Sequence, residues 1–114
     1  MAKNLQQVLE IVDANVKEFM ERNKSSLPPD IKSSEEKMNH VFEIATSIMR
    51  TKWGVGYPGG SFVHAVVENN LSRALTNADI ICREALFFFV LMVLNIDMPM
   101  DVYWYKKELE EVGV

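Results

Sequence analysis

Apolar residues recur at Leu5, Val8, Leu9, Val12, Val16 and Phe19, the i, i+3, i+4, i+7 spacing that lays one stripe along a helix of 3.6 residues per turn. The pattern predicts a first helix over about residues 4–22. Asn23-Lys-Ser-Ser-Leu-Pro-Pro-Asp30 then gathers turn formers, and Pro28 and Pro29 lack the amide hydrogens that a continuing helix needs, so this stretch reads as a linker. Ser33-Ser-Glu-Glu36 has the make-up of a capping box and starts a second helix. Its stripe is Met38, Val41, Phe42, Ala45, Ile48 and Met49, closed just after Trp53 by Gly54 and Gly56.

The next stretch, Gly54-Val-Gly-Tyr-Pro-Gly-Gly-Ser-Phe62, holds four of the chain's five glycines. Beyond it Ser61 can cap a third helix with Phe62, Ala65 and Val66 inward and Val67 at the margin, ending near Asn69-Asn70. Asn70 can cap a short turn through Leu71, Ala74 and Leu75, and Asp79 can cap an apolar helix from Ile80 to about Asn95. Phe87, Phe88, Phe89, Val90 and Val93 also suit a strand, but so long a run without turn residues favours a helix buried on most sides. Pro99 breaks the chain again, Asp101 caps, and Val102 to Glu111 forms a last short helix. The pattern predicts an all-α fold: one compact bundle of four to six helices over 1–114, with a helix pair in 1–52 and the glycine-rich loop between the second and third helices. No internal repeat is visible.

Composition narrows this little. The chain has 114 residues, 48% apolar and 25% charged, which suits one folded domain short enough to gain useful burial by self-association. A net charge of −4 gives no general attraction to duplex nucleic acid or to an acidic membrane. Cys82 is the lone cysteine, excluding an intramolecular disulfide and fitting a reducing compartment. The N-terminal segment lacks the continuous apolar core of a secretion signal. The apolar run Ala85–Leu94, with Arg83 and Glu84 before it, falls well short of the roughly 20 residues that span a bilayer. The expected setting is a cytosol, without membrane insertion.

Candidate chemistry is sparse. His64 and Glu68 stand four apart on the third helix, and His40 has Glu36 and Glu43 near it, but solvated pairs are the plainer reading of both. Two histidines in separate segments, with no HExxH, predict no metal site. Cys82, set among Ile80, Ile81 and Ala85, reads as a small core residue, and no nucleophile motif is present, so neither an enzyme nor a cofactor is expected. The loop offers more. Bare amides at Gly59, Gly60 and Ser61, running into a helix start, can hold an anion, although no GK[ST] follows to make a Walker A motif. Arg50, Lys52, Trp53 and Tyr57 lie close by in sequence, with Phe62, Asn69, Asn70, Arg73 and Arg83 after them. Cations, flat rings and amide side chains are what a phosphorylated base requires. The plainer alternative is that Trp53, Tyr57 and Phe62 pack a helix corner while the arginines stay hydrated.

Gly59-Gly-Ser-Phe-Val-His-Ala-Val-Val-Glu-Asn-Asn-Leu-Ser-Arg-Ala-Leu-Thr-Asn-Ala-Asp79 resembles the segment GGxFxxAVxxNxLxxAxxxAD shared by a family of short bacteriophage proteins. The matches are Gly59, Gly60, Phe62, Ala65, Val66, Asn69, Leu71, Ala74, Ala78 and Asp79, over about a fifth of the chain. Where family members carry a small Trp-Gly-containing tail after a proline, this chain has Met98-Pro-Met-Asp-Val-Tyr-Trp-Tyr105. The family has no settled activity, so the resemblance implies a phage origin and a host-cytosol setting rather than a reaction. In that setting the expectation is a homo-oligomer that sequesters a small anionic, nucleotide-type immune signal of the host. Gly59, Gly60 and Ser61 would meet the phosphate, Arg50, Arg73 or Arg83 would supply charge, Trp53 or Tyr57 would stack, and Asn69 or Asn70 would orient the base. The rival expectation is a protein–protein inhibitor anchored by Tyr103, Trp104 and Tyr105. A phage assembly accessory is a third.

Overall fold

The computed structural model describes residues 3–111; the ends of the predicted 1–114 domain, residues 1–2 and 112–114, lie outside the described residues. Within that span the chain is all-helical, and its helices are more numerous than the four to six predicted. They are α1 (Leu5–Arg22), α2 (Pro29–Lys32), α3 (Glu35–Trp53), α4 (Ser61–Val67), α5 (Leu71–Asn77), α6 (Ile80–Glu84), α7 (Leu86–Asn95) and α8 (Met100–Glu111), with a 3-10 turn at Lys24–Ser26. The extra elements come from two places. The predicted linker contains α2, in which Pro29 occupies a first-turn position where its missing N–H is no loss. The predicted Ile80–Asn95 helix is broken at Ala85 (φ −92°, ψ 4°) into α6 and α7.

The ends of the helices follow from side chains at fixed places. Asn4 and Gln7 form a reciprocal capping box at the start of α1. At the start of α3 the capping box expected of Ser33-Ser-Glu-Glu36 is not formed: the cap is Ser34, whose hydroxyl accepts from the Lys37 amide, and lysine at that third position cannot reach back as glutamate would. Gly54, at φ +69°, closes α3: the Val55 amide reaches the Arg50 carbonyl and the Gly54 amide that of Thr51. The asparagine pair divides α4 from α5 as its sequence suggested. Asn69 takes the left-handed conformation (φ 59°) after α4, and the Asn70 side chain caps α5 through the Arg73 amide at 3.1 Å. The last helix opens at Met100 rather than after Asp101, placing that aspartate in its first turn, where a negative charge suits the helix dipole.

α1 and α3 pack together along Val8, Val12, Val16 and Met20 on one side and Val41, Ala45, Ile48 and Met49 on the other, all buried. Arg50 on α3 reinforces the pair, its Nη2 donating to both carboxylate oxygens of Asp13 on α1 at 2.8 and 2.9 Å. α7 is inserted against this pair and against α4 by a chain of rings. Phe19 meets Phe88 at 5.7 Å between centroids, Phe88 meets Phe89 at 5.9 Å, and Phe89 meets Phe62 at 5.8 Å, all tilted or edge-on as aromatic quadrupoles favour. Val102 of α8 is also fully buried, fastening the last helix to the same core.

The opposite side of α7 has no such cover. Phe87 is 66% and Leu94 77% exposed, and with the half-buried Val90 and Leu91 they form an i, i+3, i+4, i+7 stripe. The apolar helix is thus buried on one face only, where the sequence suggested burial on most sides. No single helix among the described residues is long and apolar enough to cross a membrane.

Because Phe88 joins two of the three ring contacts and is wholly buried, Phe88→Ala is expected to lower stability by about 3–5 kcal/mol in urea denaturation. A loss under about 1 kcal/mol contradicts the central place given to this ring.

Candidate functional site

The glycine-rich loop turns back over the last turn of α3. Two of its glycines supply positive φ, Gly54 at +69° and Gly56 at +70°. Gly59 is needed for close approach: its amide donates to Thr51 Oγ1 at 2.9 Å, and a Cβ there would lie 2.5 Å from Ser47 Oγ and 2.6 Å from the Val63 side chain. The Gly59 amide is therefore engaged inside the protein. Gly60 differs, since nothing lies within 4 Å of a Cβ built on it; it is the N-cap of α4, and Ser61, expected as the cap, is instead the first helical residue and makes no side-chain capping bond.

The remaining sequence-predicted residues are dispersed. Trp53 is 2% exposed and Phe62 is buried, so both rings belong to the core, as the plainer reading had it. Tyr57 is the opposite case at 94% exposed. Arg50 is committed to Asp13, with its Nε buried and without a hydrogen-bond partner, and Arg73 lies 3.4 Å from Glu68. Asn69 and Asn70 have the backbone roles already given and line a small cavity beside Leu86 and Val90. Arg83 lies elsewhere, on a cleft between α3 and α6. The basic character of the middle segment is thus divided among separate partners rather than gathered at the loop.

One cation near the loop was not anticipated. α8 carries Lys106 across to the start of the loop, its Nζ 3.0 Å from the position a Cβ on Gly54 would take. Lys106, Lys107, Tyr103 and Glu110 line a cavity of about 220 Å³. Tyr103 and Trp104 are both exposed and meet edge-on at 5.2 Å. Their sequence distance from the loop concealed the arrangement.

A cleft of about 1220 Å³ runs between α3 and α6. Glu35, Glu36, Glu43 and Asp79 line it with Lys37, His40 and Arg83, so its fixed charge leans acidic. Asp79 caps α6, its Oδ1 accepting from the Cys82 amide at 2.7 Å, while Oδ2 lies 2.8 Å from His40 Nε2. The Cys82 sulfur lies 3.9 Å from that same nitrogen. Desolvation works against the Asp79 carboxylate, yet the Cys82 amide, His40 and the Cys82 thiol together hold its pKa below the ordinary value. Burial, and then Asp79, pushes the Cys82 thiol up to about 12. The thiol is therefore protonated, and the single imidazole nitrogen facing both partners leaves no relay from cysteine through histidine to carboxylate. The core reading of Cys82 holds, but His40 stands 39 residues from Asp79 and 42 from Cys82, which hid the grouping from any motif search. Glu68 pairs with Arg73.

No protein-family model, curated protein or solved structure gives a significant match to the chain.

The two glycines before α4 should separate on substitution. Gly59→Ala is expected to cost about 1–3 kcal/mol through overpacking, whereas Gly60→Ala changes stability by less than about 0.5 kcal/mol. Thermal unfolding of the two variants measures the difference; equal effects contradict the close approach at Gly59.

Proposed function

We propose that this chain is a non-catalytic binding protein of a bacteriophage that, as a homo-oligomer, sequesters a small anionic, nucleotide-type signal of its host. The observation carrying this reading is the meeting of Lys106 with the start of the loop that presents Tyr57. A tyrosine 94% exposed contributes almost nothing to its own fold, and a free ring on a loop whose start carries a positive charge suits a stacked, phosphorylated base. Tyr103 and Lys107 extend the same chemistry along α8, beside an open cavity. Gly60 leaves space where a ligand can approach the main chain. Trp53, Phe62, Gly59 and Arg50 serve as the scaffold behind this surface.

Oligomerisation is supported by the bare apolar stripe of α7. Covering Phe87 and Leu94 would contribute about 1.5–3 kcal/mol each, and contiguous apolar patches mark interaction surfaces. The phage origin rests on the resemblance of residues 59–79. A protonated cysteine with no base relay supports a binding role rather than a reaction.

A second reading is favoured by the exposed Tyr103–Trp104 pair: inhibition of a host protein, with these rings as anchors.

Calorimetric titration with a panel of cyclic and linear nucleotides tests the first reading. At least one is expected to bind, and Tyr57→Ala to weaken it by about 1–3 kcal/mol, or about 5- to 150-fold, with Lys106→Ala weakening it further. A silent panel, or an affinity unmoved by both substitutions, overturns it. Retention of a host protein by the wild type and its loss in Trp104→Ala would then favour the second.

A further inference from the structure

We propose that His40, Asp79 and Cys82 bind a divalent transition-metal ion of the zinc class in the wall of the α3–α6 cleft. One donor atom from each residue lies within 4.8 Å of the other two. His40 Nε2 is 2.8 Å from Asp79 Oδ2 and 3.9 Å from Cys82 Sγ. Metal bonds of about 2.0–2.3 Å at tetrahedral angles set such donors about 3.3–3.6 Å apart, between the two observed separations. The Asp79 and Cys82 donors lie within 4.8 Å of each other, and the half-exposed Asp79 carboxylate can turn to bring all three onto one ion.

The donors are held on separate, well-anchored elements. His40 stands within the 19-residue α3, while Asp79 and Cys82 share the first turn of α6. The Cys82 amide fixes Asp79 through Oδ1 and leaves Oδ2 towards His40, the outer-sphere restraint that orients metal-binding carboxylates. Imidazole, thiolate and carboxylate together select a borderline ion such as zinc over calcium or magnesium, which take oxygen donors. One carboxylate and one thiolate neutralise a divalent charge. Glu35, Glu36 and Glu43 on the same cleft add a field that attracts cations, while Lys37 is turned towards Asp30 at 3.5 Å.

Entry is open, because the His40 and Asp79 side chains are 34% and 53% exposed. As the metal–sulfur bond forms, the S–H bond breaks and its proton passes to solvent. Three protein donors leave the fourth position facing the cleft, where water completes the tetrahedron. The site lies apart from the Tyr57 loop and stands whether or not a nucleotide binds there.

Titration of the metal-free, full-length protein with Co²⁺ tests the proposal. One ion per chain is expected, with a thiolate-to-cobalt charge-transfer band that Zn²⁺ abolishes by displacement. Cys82→Ser is expected to lose the band. His40→Ala and Asp79→Asn are expected to weaken affinity by at least about tenfold; asparagine still caps α6, so Asp79→Asn keeps the fold. Absence of the band in the wild type, its persistence in Cys82→Ser, or undiminished affinity in Asp79→Asn overturns the assignment.

Discussion

Phe88 and Phe89 sit side by side on α7 and face two different neighbours, Phe19 on α1 and Phe62 on α4. Everything else in the molecule is arranged around that double contact. It joins the N-terminal helix pair to the glycine-loop half of the chain, and fixes the rotation of α7 about its own axis. With those two rings and Met92 inward, helical geometry sends Phe87 and Leu94 outward. The same packing therefore builds the core and creates the exposed apolar stripe of α7.

The proposed function draws on the opposite principle, on residues that the core does not use. Tyr57 has almost no packing role, and the Tyr103–Trp104 pair stands outward from a helix anchored by the buried Val102. The glycines between α3 and α4 are mainly architectural. Gly54 ends a helix in a left-handed conformation and Gly59 lets the loop pass within contact of Ser47 and Val63. Their part in the proposed binding is indirect: a turn that leaves Tyr57 exposed and meets Lys106 at its start. The acidic cleft between α3 and α6 is a separate feature, with mixed nitrogen, oxygen and sulfur donors suited to a cation rather than an anion.

Local signals made much of the fold legible in the sequence. The stripes of α1 and α3 repeat at helical spacing, and the caps at Asn70 and Asp79 follow from short polar side chains placed before apolar turns, whereas the caps of α3 and α4 fall one residue from the expected places, at Ser34 and Gly60. The break at Ala85 was not legible, since no glycine or proline marks it and an apolar run reads as one helix. The site was harder still. Trp53 and Tyr57 are four residues apart in one aromatic, glycine-rich stretch, yet one is sealed in the core and the other is almost wholly exposed. Composition cannot distinguish them, because the difference arises from which side of the α3 terminus each backbone bond turns towards. His40 and Cys82, like Lys106 and Gly54, are brought together only by tertiary packing.

The outward stripe of α7 is the point at which the core and the proposed function meet, since the proposed self-association rests on that apolar surface. Light scattering of the native protein over a range of concentrations measures this most directly. The account predicts a discrete species at a whole-number multiple of the 13.1 kDa chain mass. A single 13.1 kDa species that persists at the highest concentrations would contradict it.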